Sequence, residues 1–569
     1  MNLILSSYLR ILKERDELDV LLPDLLVCMG LLPLTKPQTG TRQFGVDLPA
    51  IGPDLEDKGK QKLFLFVLKQ GDIGRSVWSG DPQSVRQSMD EIFDVYLHSH
   101  VSANHKDLPK KIVVCTSGDL KEEAKANWSG YTNDNAHRAE FDFWGADKLA
   151  ALIERHMLNE NIFSSEDRVD LRRTLALVSE SDYSLNDFHR LLLRQLGLDS
   201  DGRNIDSEVK PKALKKAFTR INLATRVLAT WALEEGNGKQ AVIAAERALL
   251  WTWHRVQLEP ESSRKTLNPE IAATWQNYQT ITKTFFEKIQ DHCYIKDSFS
   301  GYARDNAVLS LILMELVGLV SVIGLAHCYR LDANENDKII FRENANIVSD
   351  GLVSLIRNNP TTSSPRLDSN AIDIILAMML LYSTGRHAEA IDWLKEMVKR
   401  LDYTFKINRC FPIDKESVDD LADFEAGNLS KEEISKLKTT SWLLPTLAGW
   451  SAILEQPEIY QVLVNLQSDT CKNVCMQLWH PVQDVFQLLY FKIAHYDCGE
   501  AEAPILLADN MEEHRQRMLK LIESTRHNIL SISPATQAGL MPIDLIASRH
   551  FRTFVAPFYW YSLSRPYTP

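Results

Sequence analysis

The sequence lacks the short motifs that mark the best-known enzyme and metal-binding classes. It contains no GxxxxGKS/T phosphate loop, no GxGxxG after an extended run, no HExxH and no GxSxG. Its eight cysteines are scattered and include no CxxC pair, which argues against a disulfide framework and against a structural zinc site. We therefore expect a cytoplasmic protein in a reducing setting, which would need a partner for any process driven by ATP.

The chain also lacks a positive net charge and a targeting signal. Its formal net charge is -12 at pH 7, so any contact with nucleic acid needs a local basic patch. The first residues have neither the basic region nor the cleavage site of a signal peptide. The longest apolar run, Asn306 to Cys328, carries Glu315 at its centre, which favours a buried core helix over a membrane span.

Helical and extended patterns alternate over the first 160 residues. Apolar residues recur at helical spacing from Leu3 to Gly30, and Pro23 is expected to open a second helix. The next elements are extended runs at Gln43–Ile51 and Lys62–Gln70, a helix at Pro82–Leu97, strands at Lys110–Thr116 and Ala139–Trp144, and a helix at Asp147–His156. The first two runs should pair antiparallel, so this region is predicted to be a small α/β domain.

Beyond residue 158 the patterns are helical, with polar breaks near residues 199–206, 358–369, 415–433 and 498–503. The segment Leu380 to Leu401 resembles one tetratricopeptide-like helix pair with Gly385 at its turn. No repeat of fixed period recurs, which favours an irregular helical solenoid or bundle. We predict three domains: an α/β domain at residues 1–160, a helical domain at 161–360, and a partly tetratricopeptide-like helical domain at 361–569.

The C-terminal segment is dense in aromatic and basic residues. It contains Arg549, His550, Phe551, Arg552, Phe554, Phe558, Tyr559, Trp560 and Tyr561. One interpretation is that the aromatic rings cap the helical core. The other is that Arg549, Arg552 and Trp560 bind a partner, which would be a protein or a nucleic acid recognised by stacking and phosphate pairing.

An acid and a lysine in the two paired extended runs give the clearest chemical signal. A hairpin would bring Asp47 and Lys69 to neighbouring positions on one face of a sheet. A metal-dependent phosphodiesterase uses carboxylates to hold Mg²⁺, while an ammonium group offsets the charge that develops in the transition state. Asp47 and Lys69 are therefore the candidate catalytic residues, and Asp47 is also a candidate metal ligand. An ordinary surface ion pair is the simpler interpretation.

The segment GVD, followed about twenty residues later by an apolar strand that ends in KQG, resembles the Mrr-like branch of the PD-(D/E)xK restriction endonucleases. The segments KKIVVCTSGDL and EFDFWGADKLAALI resemble later elements of the same domains, so the resemblance covers about residues 3–158. It implies that Asp47 matches the first acid and Lys69 the lysine of an acid-x-Lys motif. Val67 stands in the place of the second acid, and alternation puts it on the same face as Lys69.

The missing oxygen ligand leaves the activity open. Glu14, Glu17 or Asp24 from the leading helices, or Asp72 after the second strand, could complete a Mg²⁺ site. If the site is active, the resemblance implies a metal-dependent DNA endonuclease. If it is degenerate, a basic groove could still hold the DNA backbone. The candidate nucleic-acid contacts are Lys58, Lys60, Lys62, Lys69 and Arg75.

The resemblance implies a DNA-contacting component of a bacterial antiphage or DNA-processing system. In this hypothesis the helical region binds the protein subunits of a complex, one of which could be an ATPase. The alternative is a non-enzymatic helical adaptor in which the nuclease-like domain is only a docking module. A third hypothesis is a membrane-associated effector that uses Asn306 to Cys328.

Overall fold

The structure, a computed structural model, describes residues 9–10, 18–35, 44–80, 84–156, 164–180, 183–205, 211–303, 305–328, 335–407, 411–480, 485–491, 500–520 and 533–553. The chain divides into two compact units. The first unit comprises Met1–Leu191 and Thr230–Asn237, and the second comprises Leu192–Ala229 and Gly238–Pro569. The predicted boundary near residue 160 therefore moves to 191, and the predicted second and third domains form one unit.

The first unit is built around a mixed sheet. Its strands, in spatial and chain order, are β1 (Leu32–Pro33), β2 (Leu48–Asp54), β3 (Lys60–Lys69), β4 (Lys110–Thr116) and β5 (Glu140–Trp144). β1, β2 and β3 pair antiparallel, whereas β3, β4 and β5 pair parallel. The predicted antiparallel pairing of the first two extended runs is confirmed. The parallel pairs are consistent with crossovers that carry helices over the sheet faces.

The first unit also contains helices. They are α1 (Asp19–Cys28), α2 (Arg75–Ser79), α3 (Val85–Glu91, continued by a π-helical turn at Ile92–Tyr96 and by Leu97–Ser99), α4 (Glu122–Asn135), α5 (Ala146–His156) and α6 (Ser165–Leu177). Leu63, Leu65 and Val67 of β3 belong to a buried core with Val85 and Met89 of α3. Burying such side chains stabilises the fold by about 1.5–3 kcal/mol each.

The strand and helix bounds differ from the predictions at a few places. β2 was expected to end at Ile51, but it continues through Gly52 and Pro53 to Asp54. β1 pairs β2 only at Ala50 and Ile51, so no strand among the described residues pairs with Pro53 on that side, and its missing N–H costs no ladder bond there. Pro23 lies inside α1 and does not open it, whereas Gly30 takes a positive φ just past its end, as expected for a helix C-terminus.

The second unit is mainly helical. Its elements include α8 (Pro211–Glu234, as far as Ala229), α9 (Gly238–Gln257), α10 (Glu261–Cys293), α11 (Asn306–Cys328), α12 (Glu335–Asn358), α13 (Ala371–Ser383), α14 (His387–Ile407), α15 (Val418–Ala426), α16 (Lys431–Lys436), α17 (Leu443–Ile453), α18 (Pro457–Ser468), α19 (Val485–Leu488), α20 (Pro534–Gln537) and α21 (Pro542–Phe551). Helix α7 (Asn186–Leu196) crosses the boundary between the two units.

The second unit also contains short strands, which the sequence did not indicate. β6 (Thr440–Ser441) pairs parallel with β7 (Cys475–Met476), and β8 (Leu478–His480) pairs antiparallel with β9 (Glu500–Glu502). The prediction that no strand follows residue 158 was therefore wrong. Strands of two or three residues are too short for a period of two to stand out from loop sequence.

The apolar helix α11 is the centre of the second unit. It is long and apolar enough to cross a membrane, but 67% of its most apolar window is buried in the protein. It packs against α12, α13 and α21. A Cβ added at Gly318 would lie 2.0 Å from Oδ1 of Asp373 in α13, so only glycine permits this close approach. The burial of α11 is typical of the core helix of a soluble protein.

The predicted helix pair at Leu380 to Leu401 is present. Its helices are α13 and α14, and the turn between them contains Gly385 with a φ of 76°. Glycine adopts this left-handed conformation without the steric strain of a side chain. The bounds are wider than the predicted segment, because α13 begins at Ala371 and α14 continues to Ile407.

Candidate functional site

The carboxylate of Asp47 takes part in strand pairing at the start of β2. The Asp47 backbone N–H donates to the carbonyl oxygen of Phe66 at 2.9 Å. One carboxylate oxygen accepts the backbone N–H of Leu68 at 2.7 Å. The Asp47 carboxylate therefore takes the place of a backbone carbonyl as the acceptor for Leu68. It adds one hydrogen bond to the pairing of β2 with β3, just before β2 begins. This structural role uses one of the oxygens that a metal ion would need.

Val67 and Lys69 occupy the positions that the alternation predicts. Leu48 pairs with Phe66, and continuing that antiparallel register by one residue sets Asp47 beside Val67. Val67 is fully buried in the core between the sheet and the helices. Lys69 ends β3, pairs with Thr116 of β4 and is partly exposed. The side chain between the acid and the lysine is thus an apolar core residue.

The other candidate metal ligands do not complete a site in the described residues. Asp72 forms an ion pair with Lys121 at 2.8 Å and accepts the backbone N–H of Asp119 at 2.9 Å. The hydrogen bond from Lys121 holds the pKa of Asp72 below its usual value. Asp24 is exposed on α1, while Glu14 and Glu17 lie outside the described residues. Within the described ranges no three His, Cys, Asp or Glu side chains are placed to hold a metal ion.

A Mg²⁺ site of the expected kind therefore does not fit the residues that the structure describes. Mg²⁺ takes oxygen ligands in near-ideal octahedral geometry, usually one or two carboxylates with water and phosphate oxygens. Here one carboxylate is engaged with a backbone N–H, and the neighbouring position on the same face is a buried valine.

The predicted basic residues do not form one groove. Lys58 and Lys60 lie at the hairpin end of β3, whereas Lys69 and Arg75 lie at or beyond its other end. The nine residue steps from Lys60 to Lys69 span about 30 Å at 3.3 Å per residue. Lys58, Lys60 and Arg75 are exposed. In the part of the chain that the structure describes, no carboxylate is paired with Lys69 or with the Arg75 guanidinium.

Lys62 is not available to a nucleic acid, which corrects the expectation from the sequence. Its side chain has no exposed surface, and its ammonium lies 3.0 Å from Asp54, 2.8 Å from Asp57 and 2.6 Å from Glu140. The carboxylates around it already supply the opposite charge that a phosphate would offer. Lys62 therefore holds the hairpin to β5.

Lys62 belongs to a larger ionic cluster on one face of the sheet, which we call the hairpin cluster. It consists of Lys62, Lys111 and Lys148 with Asp54, Glu56, Asp57, Glu140 and Asp142. Lys111 lies 3.0 Å from both Asp54 and Glu56, and Lys148 lies 2.9 Å from Asp142. Burial alone would raise the pKa of Asp54, but hydrogen bonds from Lys62 and Lys111 lower it overall.

Sequence reasoning missed the hairpin cluster, although a signal for it exists. Lys62, Lys111 and Glu140 come from three adjacent strands, and Lys111 is the cross-strand partner of Glu140. Each of the three is a charged residue at or near the start of a largely apolar strand, and all three lie on the same face of the sheet. Buried charges in neighbouring strands therefore predict opposite charges close by in space, because an unpaired buried charge is unstable.

The predicted partner-binding arginines are used inside the second unit. Arg549 is almost fully buried and forms an ion pair with Glu246, and His550 Nδ1 lies 2.9 Å from the same carboxylate. Arg552 lies 2.9 Å from both carboxylate oxygens of the buried Asp373. These contacts attach α21 to α9 and α13, so the prediction that Arg549 and Arg552 face a partner is corrected. Trp560 lies outside the described residues.

The fold and these contacts describe a small α/β unit with a five-stranded mixed sheet and a large helical unit. Comparisons with protein-family models, with curated proteins and with solved structures found no match. The roles of Asp47 and Lys69 therefore stay predictions that depend on this chain's own geometry.

Proposed function

We propose that the protein is a non-cleaving adaptor of a DNA-processing or antiphage assembly. In this proposal the nuclease-like α/β unit is a docking module, and the helical unit is the scaffold that holds partner subunits. The observation that carries the proposal is the complete burial of Val67, in the place where a nuclease of the resembled family has its second acid.

The chemistry of phosphodiester cleavage supports a non-cleaving role. Metal-assisted cleavage needs a bound ion to activate water and to stabilise charge on the phosphate. A buried valine offers no electron pair to such an ion, and one oxygen of Asp47 accepts a backbone N–H. Lys69 alone would supply charge stabilisation without an activated nucleophile.

A second candidate function is non-catalytic contact with the DNA backbone. It is favoured by Lys69 and Arg75, whose cationic groups have no carboxylate partner among the described residues and lie close in sequence at one end of β3. Lysine and arginine at such positions bind phosphates without reading base sequence. Lys58 and Lys60 would contribute only to a separate surface at the other end of the strand.

A plasmid-nicking assay tests the absence of cleavage. Full-length protein is incubated with supercoiled plasmid and Mg²⁺ or Mn²⁺, beside Asp47→Asn and Lys69→Ala variants. The Asp47→Asn change keeps an oxygen that can accept the Leu68 N–H but removes the charge, so it tests chemistry with little effect on the fold. We expect no nicking by any of the three proteins. Nicking by the wild type that both substitutions abolish would overturn the proposal.

Salt dependence separates the two candidate functions. Binding to a short labelled duplex is measured by fluorescence anisotropy between 50 and 200 mM salt, conditions that distinguish phosphate contacts from other contacts. The adaptor role predicts weak binding with a flat response. Backbone contact predicts a steep loss of affinity, with the slope reduced by about one unit for each phosphate contact removed in Lys69→Gln and Arg75→Gln.

A further inference from the structure

Charged side chains around helix α21 form a cluster in the core of the second unit, which we call the α21 cluster. Its members are Glu246 and Arg247 of α9, Asp373 of α13, Arg549 and His550 of α21, and Arg552 just past α21. Both carboxylates already have a cation, because Glu246 pairs with Arg549 and Asp373 pairs with Arg552. The third cation, Arg247, therefore has no carboxylate of its own within the cluster.

The imidazole of His550 does not change this balance of charge. Arg247 Nε–H donates to His550 Nε2 at 2.8 Å, so that ring nitrogen carries a lone pair. His550 Nδ1 lies 2.9 Å from Glu246, to which it can donate the ring proton. Burial lowers the pKa of His550 to about 4, so the ring is neutral at pH 7. The neighbouring pair of Lys239 and Glu315 is balanced, and the α21 cluster keeps three cations against two anions.

The guanidinium of Arg247 lies in largely apolar surroundings. Its central carbon, Cζ, is 5.1 Å from the ring centroids of both Trp251 and Phe551. Burial lowers the pKa of Arg247 to about 10, against the opposing attraction of Glu246. Arg247 forms no ion pair within the part of the chain that the structure describes. A half-buried cation without a counter-ion is destabilising, so an anion bound beside it would stabilise the protein.

The two terminal nitrogens of Arg247 can be reached from solvent. The residue is only partly buried, and neither Nη1 nor Nη2 belongs to the enclosed polar atoms that lack a partner among the described residues. The Nε–H is taken by His550, which leaves the outer edge of the guanidinium for a ligand. That edge presents two N–H groups side by side, the arrangement that binds both oxygens of a carboxylate.

We propose that the outer edge of Arg247 binds a carboxylate, brought either by a free organic acid or by an acidic side chain of a partner protein. A carboxylate carries one negative charge, which equals the excess positive charge of the α21 cluster. A phosphate group carries about two at pH 7, and the adjacent Glu246 would repel the second. The apolar part of the ligand would lie against Phe551, which is partly exposed. This inference goes beyond the proposed function and does not rest on it.

Arginine labelling of the wild-type, full-length protein tests the inference without any substitution. Phenylglyoxal reacts with accessible guanidinium groups, and mass spectrometry of the digested protein gives the rate at each arginine. Acetate is added at an ionic strength held constant with chloride. We expect saturating acetate to slow the labelling of Arg247 about tenfold, the effect of about 1.4 kcal/mol. Arg342 of α12 is the matched control, because it is exposed and also forms no ion pair among the described residues, and its rate should not change.

Capped peptides distinguish the two sources of the carboxylate. One tripeptide has glutamate between two glycines, and its counterpart has glutamine instead. Protection of Arg247 by the glutamate peptide at lower concentration than by acetate, with none by the glutamine peptide, supports a side chain of a partner. Protection by acetate at the lower concentration supports a free organic acid. Inorganic phosphate completes the series and is expected to protect less than acetate.

Substitution of Arg247 gives an independent measurement. A ligand that binds the native state raises the thermal midpoint of unfolding. We expect acetate to raise the midpoint of the wild type and of Arg342→Gln, and to leave that of Arg247→Gln unchanged. Arg247→Lys keeps the charge but loses the planar pair of N–H groups, so it should bind acetate about tenfold more weakly than the wild type.

The inference is overturned if chloride protects Arg247 as well as acetate does, or if phosphate protects it and acetate does not. It is also overturned if acetate stabilises Arg247→Gln as much as the wild type. If Arg247→Gln does not fold, the labelling of the wild type decides. None of these outcomes involves DNA, so plasmid nicking would refute the proposed function alone, and failed protection would refute the carboxylate site alone.

Discussion

Replacing Lys62 with methionine tests whether the hairpin cluster holds the sheet of the first unit together. Methionine is an unbranched apolar side chain, so Lys62→Met removes the ammonium with little change in packing. The ammonium contacts Asp54, Asp57 and Glu140 at 2.6–3.0 Å. The side chains of Asp57 and Glu140 are 47% and 50% exposed, so water can solvate them in the variant. Asp54 is only 4% exposed and depends on protein partners.

The expected magnitude follows from the position of Asp54. Removing one partner of a buried ion pair destabilises a protein by about 3–5 kcal/mol, because it leaves an uncompensated charge. Asp54 keeps Lys111 at 3.0 Å and the backbone N–H of Glu56, which places the expected loss at the lower end, about 3 kcal/mol. The double variant with Asp54→Asn should recover part of this loss, since it removes the buried charge as well.

Hydrogen exchange of the full-length protein measures this loss locally, which matters because a chain of two units need not unfold in one step. Amides of β3 and β4 should exchange about a hundredfold faster in Lys62→Met, since 1.4 kcal/mol corresponds to a factor of ten. Lys60→Met is the matched control, because Lys60 lies on the same strand face but is exposed. Equal exchange in the two variants would refute the role assigned to the cluster.

Two further predictions concern the second unit. Burial raises the pKa of Asp368 to about 6, so the native state holds its proton more tightly than the unfolded chain. Stability should therefore fall as pH rises from about 4 to about 6, and Asp368→Asn should remove that slope in thermal unfolding; an unchanged slope would contradict the assignment. Arg549→Met leaves the buried Glu246 beside His550, whose pKa is lowered to about 4 by burial, so we expect a loss of about 3–5 kcal/mol. Arg517→Met is the control, because it removes an exposed ion pair with Glu513, and it should lower the thermal midpoint far less than Arg549→Met does. Equal shifts in the two variants would refute the conclusion that burial makes the Arg549 pair more important for stability.

The local pattern predicted the elements of the first unit well where the strands are buried. β4 was expected at Lys110–Thr116 and is found there, because a short apolar run between turn residues has few alternatives to a central strand. β2 was misplaced at its end, since Gly52 and Pro53 indicate a turn in isolation. Their place in the strand depends on β1 being only two residues long, which no pattern within β2 reveals.

At the candidate site, too, the local pattern predicted some features, and others depended on the tertiary structure. The alternation of β3 predicted that Val67 shares a face with Lys69, and the unbroken register of β3 with β4 agrees, since Val67 pairs with Val114 and Lys69 with Thr116. The sequence could not show that the Asp47 carboxylate accepts a backbone N–H, because that contact depends on where β2 stops pairing. Lys62 looked like a surface lysine because its three carboxylate partners include Glu140, seventy-eight residues away.

The sequence by itself indicated the main class of each region. Short runs with an apolar period of two predict a small sheet unit, and longer runs with a period of 3.6 predict the helices that dominate the rest of the chain. It also favoured a buried position for α11 over a membrane span, since Glu315 and two glycines interrupt an otherwise apolar helix. Only the tertiary structure decided which charges are buried and paired and which remain at the surface. Ion pairs and grooves join residues that are distant in the chain, and periodicity contains no information about such distances.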